Sequence, residues 1–205
     1  MVDIVSLIDE LRQKLNIENF GYSNISEIGD RNSINYILDC FPKAKSVVSF
    51  GYSYNFEWNQ SSEDSDGYIA KYTVANFYKM VSKKLEIIAK EIKKIVAPLL
   101  SNSDFYRVFV NSKINDKKIA IYSKVGYMAK NSIIFVNGGG IKTILGTLLL
   151  NYEFNNNHVS ELKNHCGNCD LCVTNCPTNA ITKDKMVVKN RCLQHLSSQI
   201  EIPNK

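Results

Sequence analysis

Four cysteines towards the end of the sequence are the residues best suited to chemistry. They form the run C-x2-C-x2-C-x3-C-P and are Cys166, Cys169, Cys172 and Cys176. Thiolates at this spacing bind iron–sulfur clusters, and soft thiolate sites also select zinc or cuprous ions. Zinc sites usually join two C-x2-C pairs across a longer spacer, which this sequence lacks. The pattern therefore favours a 4Fe-4S cluster over zinc, and over a disulfide framework or free thiols.

The number of cysteines limits how many clusters the chain can complete. The first three thiolates of such a run converge on one cubane, and the fourth ordinarily binds a different cluster. Cys192 is a candidate fifth ligand, whereas Cys40 lies between apolar residues and is predicted to be a buried structural thiol. The sequence contains 6 cysteines in all, fewer than two cubanes require. The chain is therefore expected to hold one cluster, or two if further ligands come from a partner or from sequence beyond Lys205.

Two histidines flank these cysteines, His165 before the first ligand and His195 after Cys192. Histidine replaces cysteine on iron in some clusters. The favoured interpretation is that both histidines pack against the cluster or hydrogen-bond to its sulfurs.

The composition is that of an ordinary globular chain. Its 205 residues suit one medium domain with a small appendage, and the 44% that are hydrophobic are enough for a sizeable core. No apolar run is long enough for a transmembrane helix, and the acidic, amphipathic N-terminus does not resemble a signal peptide. Thiolates without a secretion signal indicate a reducing compartment, so a cytoplasmic protein is expected. The net charge of +5 is compatible with a nucleic-acid partner, but a solvated lysine-rich surface is the favoured explanation.

The residues before the cysteines are predicted to form the body that positions them. Apolar residues recur at helical or strand spacing over residues 1–157, and residues 158–205 carry the ferredoxin-type cluster segment. The longest helix has an apolar stripe over 74–95 that must pack on a sheet, because a single apolar face is not left in water. The expected helices are 3–15, 68–97 and 117–124, and the expected sheet comprises 45–54, 105–111 and 132–150.

Two connections carry distinct signals. The polar and acidic stretch 57–67 predicts an exposed loop. Asn137, followed by three glycines, predicts a tight turn, because these residues adopt the positive φ angles that such turns need. The glycines could instead let a flat cofactor or a phosphate approach the backbone, and the turn is the favoured interpretation.

The order of several segments resembles the epoxyqueuosine reductase family across most of the chain. Residues 165–181, with Arg191-Cys192-Leu193, resemble that family's first cluster loop and the cysteine that follows it. Residues 41–48 are similar to the entry into its first core strand. Residues 122–131 resemble its Gly-Leu-Gly-x-x-Gly-Lys-Asn segment, and residues 140–146 resemble its Gly-Ser-x-x-x-Leu-Gly segment. The candidate cofactor-binding residues in these two segments are Gly126, Lys130, Asn131, Gly140, Leu145 and Gly146.

The resemblance implies an α+β, cobalamin-binding-like domain followed by a small ferredoxin-like 4Fe-4S domain. In the family, the cluster reduces a cobalamin, and the cobalamin reduces the epoxide of a modified tRNA base to give queuosine. A flavodoxin or ferredoxin would be the electron donor, and tRNA would be a partner. By this resemblance one cluster uses Cys166, Cys169 and Cys172, and another uses Cys176 and Cys192 with ligands from a second cysteine run that would begin beyond the sequence given.

The sequence departs from that family where the chemistry would occur. Asn111 stands where the family has a catalytic aspartate, and an amide cannot act as a general acid. Asp116 could take over only if the loop between the two residues were rebuilt. The family's Gly-Leu-Gly is Lys124-Val125-Gly126 here, and its aspartate-tyrosine-histidine is Asn76-Phe77-Tyr78. Weak or absent epoxyqueuosine reduction is therefore expected. The alternatives are a non-catalytic ferredoxin-like electron carrier, or a truncated relative that needs a partner for the remaining ligands.

Overall fold

The computed structural model describes residues 3–54, 56–57, 70–96, 104–156, 162, 165–182, 184 and 186–197. The strands in this part of the chain are β1 (Asn19–Asn24), β2 (Ser46–Ser53), β3 (Tyr106–Phe109), β4 (Gly126–Met128), β5 (Ile134–Val136) and β6 (Thr143–Leu150). The helices are α1 (Ile4–Lys14), α2 (Arg31–Cys40), α3 (Phe77–Val96), α4 (Asp116–Tyr122), α5 (Leu171–Thr174) and α6 (Leu193–Ser197).

Four antiparallel strands form the central sheet, in the spatial order β1-β2-β6-β3. The two long strands, β2 and β6, pair along their whole length, and β3 lies on the other side of β6. Both long strands are buried over most of their length, which explains the apolar residues that recur in β2 and the nearly continuous apolar run at the end of β6. The predicted strands 45–54 and 105–111 are confirmed as members of one sheet.

Helices α1 and α3 cover one face of this sheet. The apolar stripe of α3 is fully buried at Leu85 and Ile92, which share a core with Phe50 and Leu148 of the sheet. A fully buried side chain of this size stabilises the fold by about 1.5–3 kcal/mol relative to an exposed one. The predicted packing of the 74–95 stripe on the sheet is confirmed.

The long helix begins later than its apolar pattern predicts. The pattern extends over 68–97, whereas α3 starts at Phe77 and Lys71–Thr73 form a separate 3-10 turn. The side chain of Asn76 accepts a hydrogen bond of 3.0 Å from the backbone N–H of Lys79. Asparagine caps a helix in this way because its oxygen satisfies one of the free amides of the first turn. The helix therefore starts after the asparagine, although the apolar spacing continues before it.

Helices α2 and α4 cover the opposite face, so the sheet lies between two helical layers. Val47 and Leu149 of the sheet share a buried cluster with Ile37 of α2 and Ile119 of α4. Cys40 is half-buried and packs against the same cluster, in agreement with a structural rather than a ligand role. This arrangement agrees with the predicted α+β class, and α4 confirms the short helix that the sequence indicates after residue 116.

Strands β4 and β5 form a second, two-stranded sheet that the sequence pattern does not separate from the first. Residues 132–150 are predicted as one region of the central sheet, but β5 pairs with β4 and β6 pairs with β2 and β3. The turn between β5 and β6 explains this difference. Gly138 and Gly140 have φ angles of 80° and 66°, and Gly140 exchanges two backbone hydrogen bonds with Val136 (2.8 and 3.0 Å). The chain reverses sharply there, as the tight-turn interpretation predicts, and leaves the two strands in different sheets.

The cysteine-bearing segment is small and mostly exposed. Its described regular structure consists of α5, α6, the 3-10 turn Lys189–Arg191 and an isolated bridge between Ile181 and Val187. Ala180 is buried, whereas Leu171 and Met186 are exposed. The segment therefore depends on its contacts with the body, and on whatever its cysteines bind, for a fixed position.

Some predictions fall on residues outside the described set. These are almost all of the expected loop 57–67 and the expected boundary between residues 157 and 158, and both stay predictions. Within the residues that the structure describes, no helix combines the length and apolar character needed to cross a membrane.

Candidate functional site

The first three cysteines of the run lie on one tight loop. The backbone N–H of Cys169 donates a hydrogen bond of 2.7 Å to the carbonyl of Cys166. Gly167, between them, has a φ of 41°, a left-handed conformation that glycine adopts without strain. Cys172 follows on the short helix α5, and each of these thiols is free of disulfide bonds. The loop therefore carries three thiols on a short stretch of chain, and thiolates are the donor chemistry that a 4Fe-4S cluster requires.

Cys176 lies in a backbone environment that favours its thiolate. The amides of Ile181, Thr178 and Ala180 donate hydrogen bonds that lower the pKa of its thiol to about 7, although burial acts in the opposite direction. The N–H of Ala180 lies 3.2 Å from the Cys176 Sγ. Because a thiolate is the form that binds metals, this geometry suits a cluster ligand.

Cys192 lies at a distance along the chain from the main run. It directly follows the 3-10 turn Lys189–Arg191 and precedes α6, where its carbonyl accepts from the N–H of Leu196 (2.9 Å). Among the residues that the structure describes, no three His, Cys, Asp or Glu side chains are grouped as closely as the ligands of a single ion. The ligand role of Cys192 stays a prediction.

Lys130 joins the cluster loop to the body. Its Nζ donates to the carbonyl oxygen of Cys169 (2.8 Å) and to Oδ1 of Asp170 (2.6 Å). Only 8% of Lys130 is exposed. A buried ammonium group is costly unless it is paired and hydrogen-bonded, so these two contacts fix both the lysine and the loop.

Two aromatic residues of the small sheet hold the beginning of the same loop. The hydroxyl of Tyr127 on β4 accepts a hydrogen bond of 2.9 Å from the N–H of His165. The ring of Phe135 on β5 lies 5.3 Å from the His165 ring, measured between centroids. The imidazole therefore packs against the body immediately before the first cysteine. Tyr127, Phe135 and Asp170 carry no sequence signal of their own, except that Asp170 is adjacent to a predicted ligand.

The predicted cofactor-binding glycines have structural reasons to be glycine. A Cβ on Gly126 would lie 2.4 Å from the backbone oxygen of Phe135, and one on Gly146 would lie 2.6 Å from Cδ1 of Leu85. Both distances are shorter than real contacts of a Cβ. Close approach of β4 to β5, and of β6 to α3, therefore explains these two glycines without reference to a ligand.

The remaining candidates have different surroundings. Asn131 accepts a hydrogen bond of 3.1 Å from the N–H of Ile133 and so stabilises the turn before β5. Gly140 belongs to the tight turn, where a Cβ would meet no atom within 4 Å. Leu145 lines an open cleft beside β6. Direct cofactor contact stays a prediction for all of them.

This cleft has a volume of about 490 Å³ and lies between the loop before α4, β5 and the start of β6. Asn111 lines it and has a φ of 46°, a left-handed conformation that asparagine tolerates better than most residues. The residues that line the cleft are Tyr78, Asn111, Ser112, Lys113, Ile114, Asn115, Asp116, Lys117, Ile133, Ile134, Thr143, Ile144 and Leu145. Asn111, at the position to which the resemblance assigns the family's acid, and Leu145, one of the predicted cofactor-binding residues, thus line the same cavity.

Asp116 is the carboxyl group of this cleft. Its Oδ1 accepts a hydrogen bond of 2.7 Å from the hydroxyl of Thr147 on β6, and the backbone N–H of Asn111 also donates to it. Burial raises the pKa of Asp116 to about 6, against the lowering effect of these two hydrogen bonds. The loop turns back on itself so that residues 111 and 116 meet, which no local sequence pattern indicates.

Comparison with known proteins agrees with these features. Residues 36–112 match the family model described as Epoxyqueuosine reductase QueG, DUF1730, and residues 162–182 match the model of a 4Fe-4S binding domain. An epoxyqueuosine reductase of Vibrio cholerae serotype O1 is 32% identical over 138 residues, which are 66% of this chain and 36% of that protein. The match of residues 162–182 to the 4Fe-4S model confirms the predicted iron–sulfur segment and decides against the zinc alternative.

Solved structures of epoxyqueuosine reductases have the same fold. The protein from Streptococcus thermophilus superimposes with a TM-score of 0.79 at 19% identity, over 99% of this chain and 60% of that chain. A structure with a tRNA-Tyr epoxyqueuosine-modified stem loop gives a TM-score of 0.71 at 17% identity, over 96% of this chain and 58% of that chain. The chain thus spans less than two thirds of the length of these relatives. By sequence and fold together, it belongs to the epoxyqueuosine reductase family.

Proposed function

We propose that this chain forms the part of an oxidoreductase in which a 4Fe-4S cluster and a cobalamin lie side by side, for the reduction of an epoxide on a modified tRNA base. When bound, the two groups supply the electrons for this reduction. The observation that carries the proposal is that one short strand, β5, contacts both candidate sites. Ile134 lines the cleft, and the next residue, Phe135, contacts His165 of the cluster loop. Because successive side chains of a strand point to opposite faces, the cleft and the loop lie on two sides of the same strand.

The lining of the cleft suits a large, flat cofactor with polar edges. Ile133 and Leu145 supply apolar surface, and Asn111, Lys117 and Thr143 place amide, ammonium and hydroxyl groups around it. Ligand pockets typically combine apolar surface with a few polar groups that fix orientation. A corrin ring with amide-bearing side chains has the complementary chemistry.

Lysines at the cleft support an anionic substrate. Lys113 and Lys117 line the cleft and are exposed, and Nζ of Lys117 donates to the carbonyl of Ser132 (2.8 Å). Positive side chains at this position can neutralise nucleic-acid phosphates. A solved relative contains an epoxyqueuosine-modified tRNA stem loop. We assign the same class of substrate to this cleft.

The proposed reaction needs a proton donor in the cleft. Reducing an epoxide to an alkene takes up electrons and protons in equal number and releases water. Asn111 cannot supply a proton, because its side chain is an amide. Asp116 is the single carboxyl among the described residues that line the cleft, and its raised pKa of about 6 keeps part of the population protonated near neutral pH. We therefore assign proton delivery to Asp116, which Thr147 holds in place through Oδ1.

The second candidate function is a non-catalytic, ferredoxin-like electron carrier. The presence of Asn111 favours it, because the resemblance assigns the family's acid to this position and an amide cannot donate a proton as a carboxylic acid does. A carrier would have a reducible cluster that exchanges electrons with a flavodoxin or ferredoxin. It would neither retain cobalamin nor turn over an epoxide.

Cobalamin retention tests the proposed function. The full chain is purified without oxygen, incubated with cobalamin under reducing conditions, desalted, and examined for corrin absorbance and for turnover of an epoxyqueuosine-containing tRNA stem loop. We expect corrin absorbance to stay with the protein. Absence of retained corrin, together with a normal iron content, would overturn the assignment in favour of the electron carrier.

A matched pair of variants shows whether the cleft is the binding site. Ile133 lines the cleft and is 42% exposed, whereas Ile141 is 45% exposed and does not line it. Ile133→Trp should block the cleft and abolish corrin retention, and Ile141→Trp should leave it unchanged. Equal retention by the two variants would place the cofactor elsewhere.

A further inference from the structure

We infer that Lys130 is a positioning residue that fastens the cluster loop to the body and raises the reduction potential of the bound cluster, and that Asp170 moderates this effect. The inference rests on the cluster-binding part of the proposed function and is independent of cobalamin and of the substrate. It concerns an ion pair between two parts of the chain that lie 40 residues apart in sequence.

The two charges of this pair differ in their exposure to solvent. The Lys130 side chain is 10% exposed, whereas the Asp170 side chain is 52% exposed. Water therefore screens the carboxylate much more than it screens the ammonium group. The positive charge of Lys130 is therefore not fully cancelled by the carboxylate of Asp170. A net positive field remains at the cluster loop, on the side of the buried lysine.

The lysine contacts one of the predicted ligand positions. Its Nζ donates to the carbonyl of Cys169 at 2.8 Å. This contact places the ammonium group beside the backbone of the cluster loop, close enough for its charge to act on a cluster that the loop binds.

A nearby positive charge favours the reduced form of a cluster. Reduction adds an electron and makes the cluster with its thiolates more negative, and local charge, hydrogen bonding and solvent exposure all set the potential. The interaction is strong for a buried charge, because the effective dielectric constant is far below that of water. Lys130 should therefore make the cluster easier to reduce, and Asp170 should make it harder.

Two substitutions with opposite expected signs test the inference. Lys130→Met removes the positive charge and keeps the apolar part of the side chain, and Asp170→Asn removes the negative charge. The midpoint potential of the cluster is measured by anaerobic redox titration of the full chain without cobalamin. We expect Lys130→Met to lower the reduced-to-oxidised ratio at a fixed potential about tenfold, equivalent to about 59 mV for one electron, and Asp170→Asn to raise the ratio.

Lys94→Met is the matched control, because Lys94 is an exposed lysine of α3 that pairs with Glu91 of the same helix. Its potential should equal that of the wild-type protein. A structural clamp alone would change cluster content but not potential. Wild-type potentials in both Lys130→Met and Asp170→Asn, at normal iron content, would overturn the inference.

One outcome needs the second variant. If Lys130→Met fails to bind iron, Asp170→Asn still decides, because it keeps the lysine: a higher potential supports the inference, and an unchanged potential overturns it. Loss of cobalamin retention would count against the proposed function and leave this measurement unaffected.

Discussion

The hydroxyl of Thr147 donates a hydrogen bond of 2.7 Å to Oδ1 of Asp116 and ties the first residue of α4 to the central strand β6. This contact keeps a carboxyl group inside the cleft in spite of the cost of burying it. Burial raises the pKa of Asp116 to about 6, from an ordinary value of 3.8. The pH dependence of both stability and activity follows from that shift.

Asp116 should make the folded state less stable as the pH rises. The folded state holds the proton up to a pH of about 6, whereas an unfolded aspartate releases it near 3.8. The contribution of the neutral carboxyl is therefore complete below about pH 4 and is lost as the pH rises through about 6. Asp116→Asn should remove this loss. Between pH 4 and pH 7.5 its free energy of unfolding should therefore improve relative to that of the wild-type protein by about 1–3 kcal/mol.

Urea unfolding at the two pH values measures the difference between this variant and the wild-type protein. Asp39→Asn, at an exposed position of α2, is the control and should follow the wild-type pH dependence. An identical pH dependence in Asp116→Asn would show that the carboxyl does not titrate in this range.

Substitution of Asp116 should also reduce turnover. A positioned general acid contributes about a hundred- to ten-thousand-fold to a rate, so Asp116→Asn should lower turnover by at least about a hundredfold. Wild-type turnover should decline above about pH 6, where Asp116 loses its proton, and the residual activity of the variant should lack this decline. Steady-state rates on an epoxyqueuosine-containing stem loop between pH 5 and pH 8 provide the measurement.

Asn111→Asp separates the two possible acids. If Asp116 delivers the proton, restoring a carboxyl at residue 111 should change turnover little. A large increase in Asn111→Asp, with no loss in Asp116→Asn, would return the acid role to residue 111 and contradict our assignment.

The cysteine run should be essential for iron binding. Simultaneous replacement of Cys166, Cys169 and Cys172 by serine should remove essentially all iron and the visible absorbance of the cluster, because these three thiolates are its predicted ligands. Cys40→Ser is the internal control, since Cys40 is the last residue of α2 and packs against the buried cluster beneath that helix. Normal iron content in the triple variant would refute the ligand assignment.

Gly146 should be required for packing rather than for ligand contact. In Gly146→Ala the new Cβ would lie 2.6 Å from Leu85 Cδ1 and 3.2 Å from Val81 Cγ1. Overpacking of a core typically costs about 1–3 kcal/mol, so the denaturation midpoint should fall. Gly29→Ala is the control, because a Cβ there would meet nothing within 4 Å and its stability should be unchanged or slightly higher. Equal midpoints would show that α3 moves aside without cost.

The cluster loop and the longest helix could be predicted from the sequence, because each is marked by a local pattern of residues. The cysteine spacing located the cluster loop, and the apolar stripe of α3 identified the helix that packs on the sheet. Strand β1 was not predicted, because Asn19, Ser23 and Asn24 are polar and Gly21 has low strand propensity, although almost the whole strand is buried. Its burial comes from pairing with β2, which is a tertiary property.

The contacts that define the site depend on tertiary structure in the same way. Asp116 enters the cleft because the loop from Asn111 returns to β6, and Lys130 reaches Asp170 because the small sheet supports the cluster loop. Neither contact produces a periodic pattern in the sequence. The resemblance to a family singled out Asn111 and Lys130, but it could not supply their partners.

The alternation of Ile134 and Phe135 along β5 has an evolutionary consequence. Inserting or deleting one residue in this strand would exchange its two faces, so the side chain facing the cleft would face the cluster loop instead. A substitution on one face of β5 can change the cleft or the cluster loop alone, whereas a change in the length of the strand affects both sites together. Insertions and deletions within β5 should therefore be selected against more strongly than substitutions, and relatives with altered cleft chemistry should keep the length of this strand.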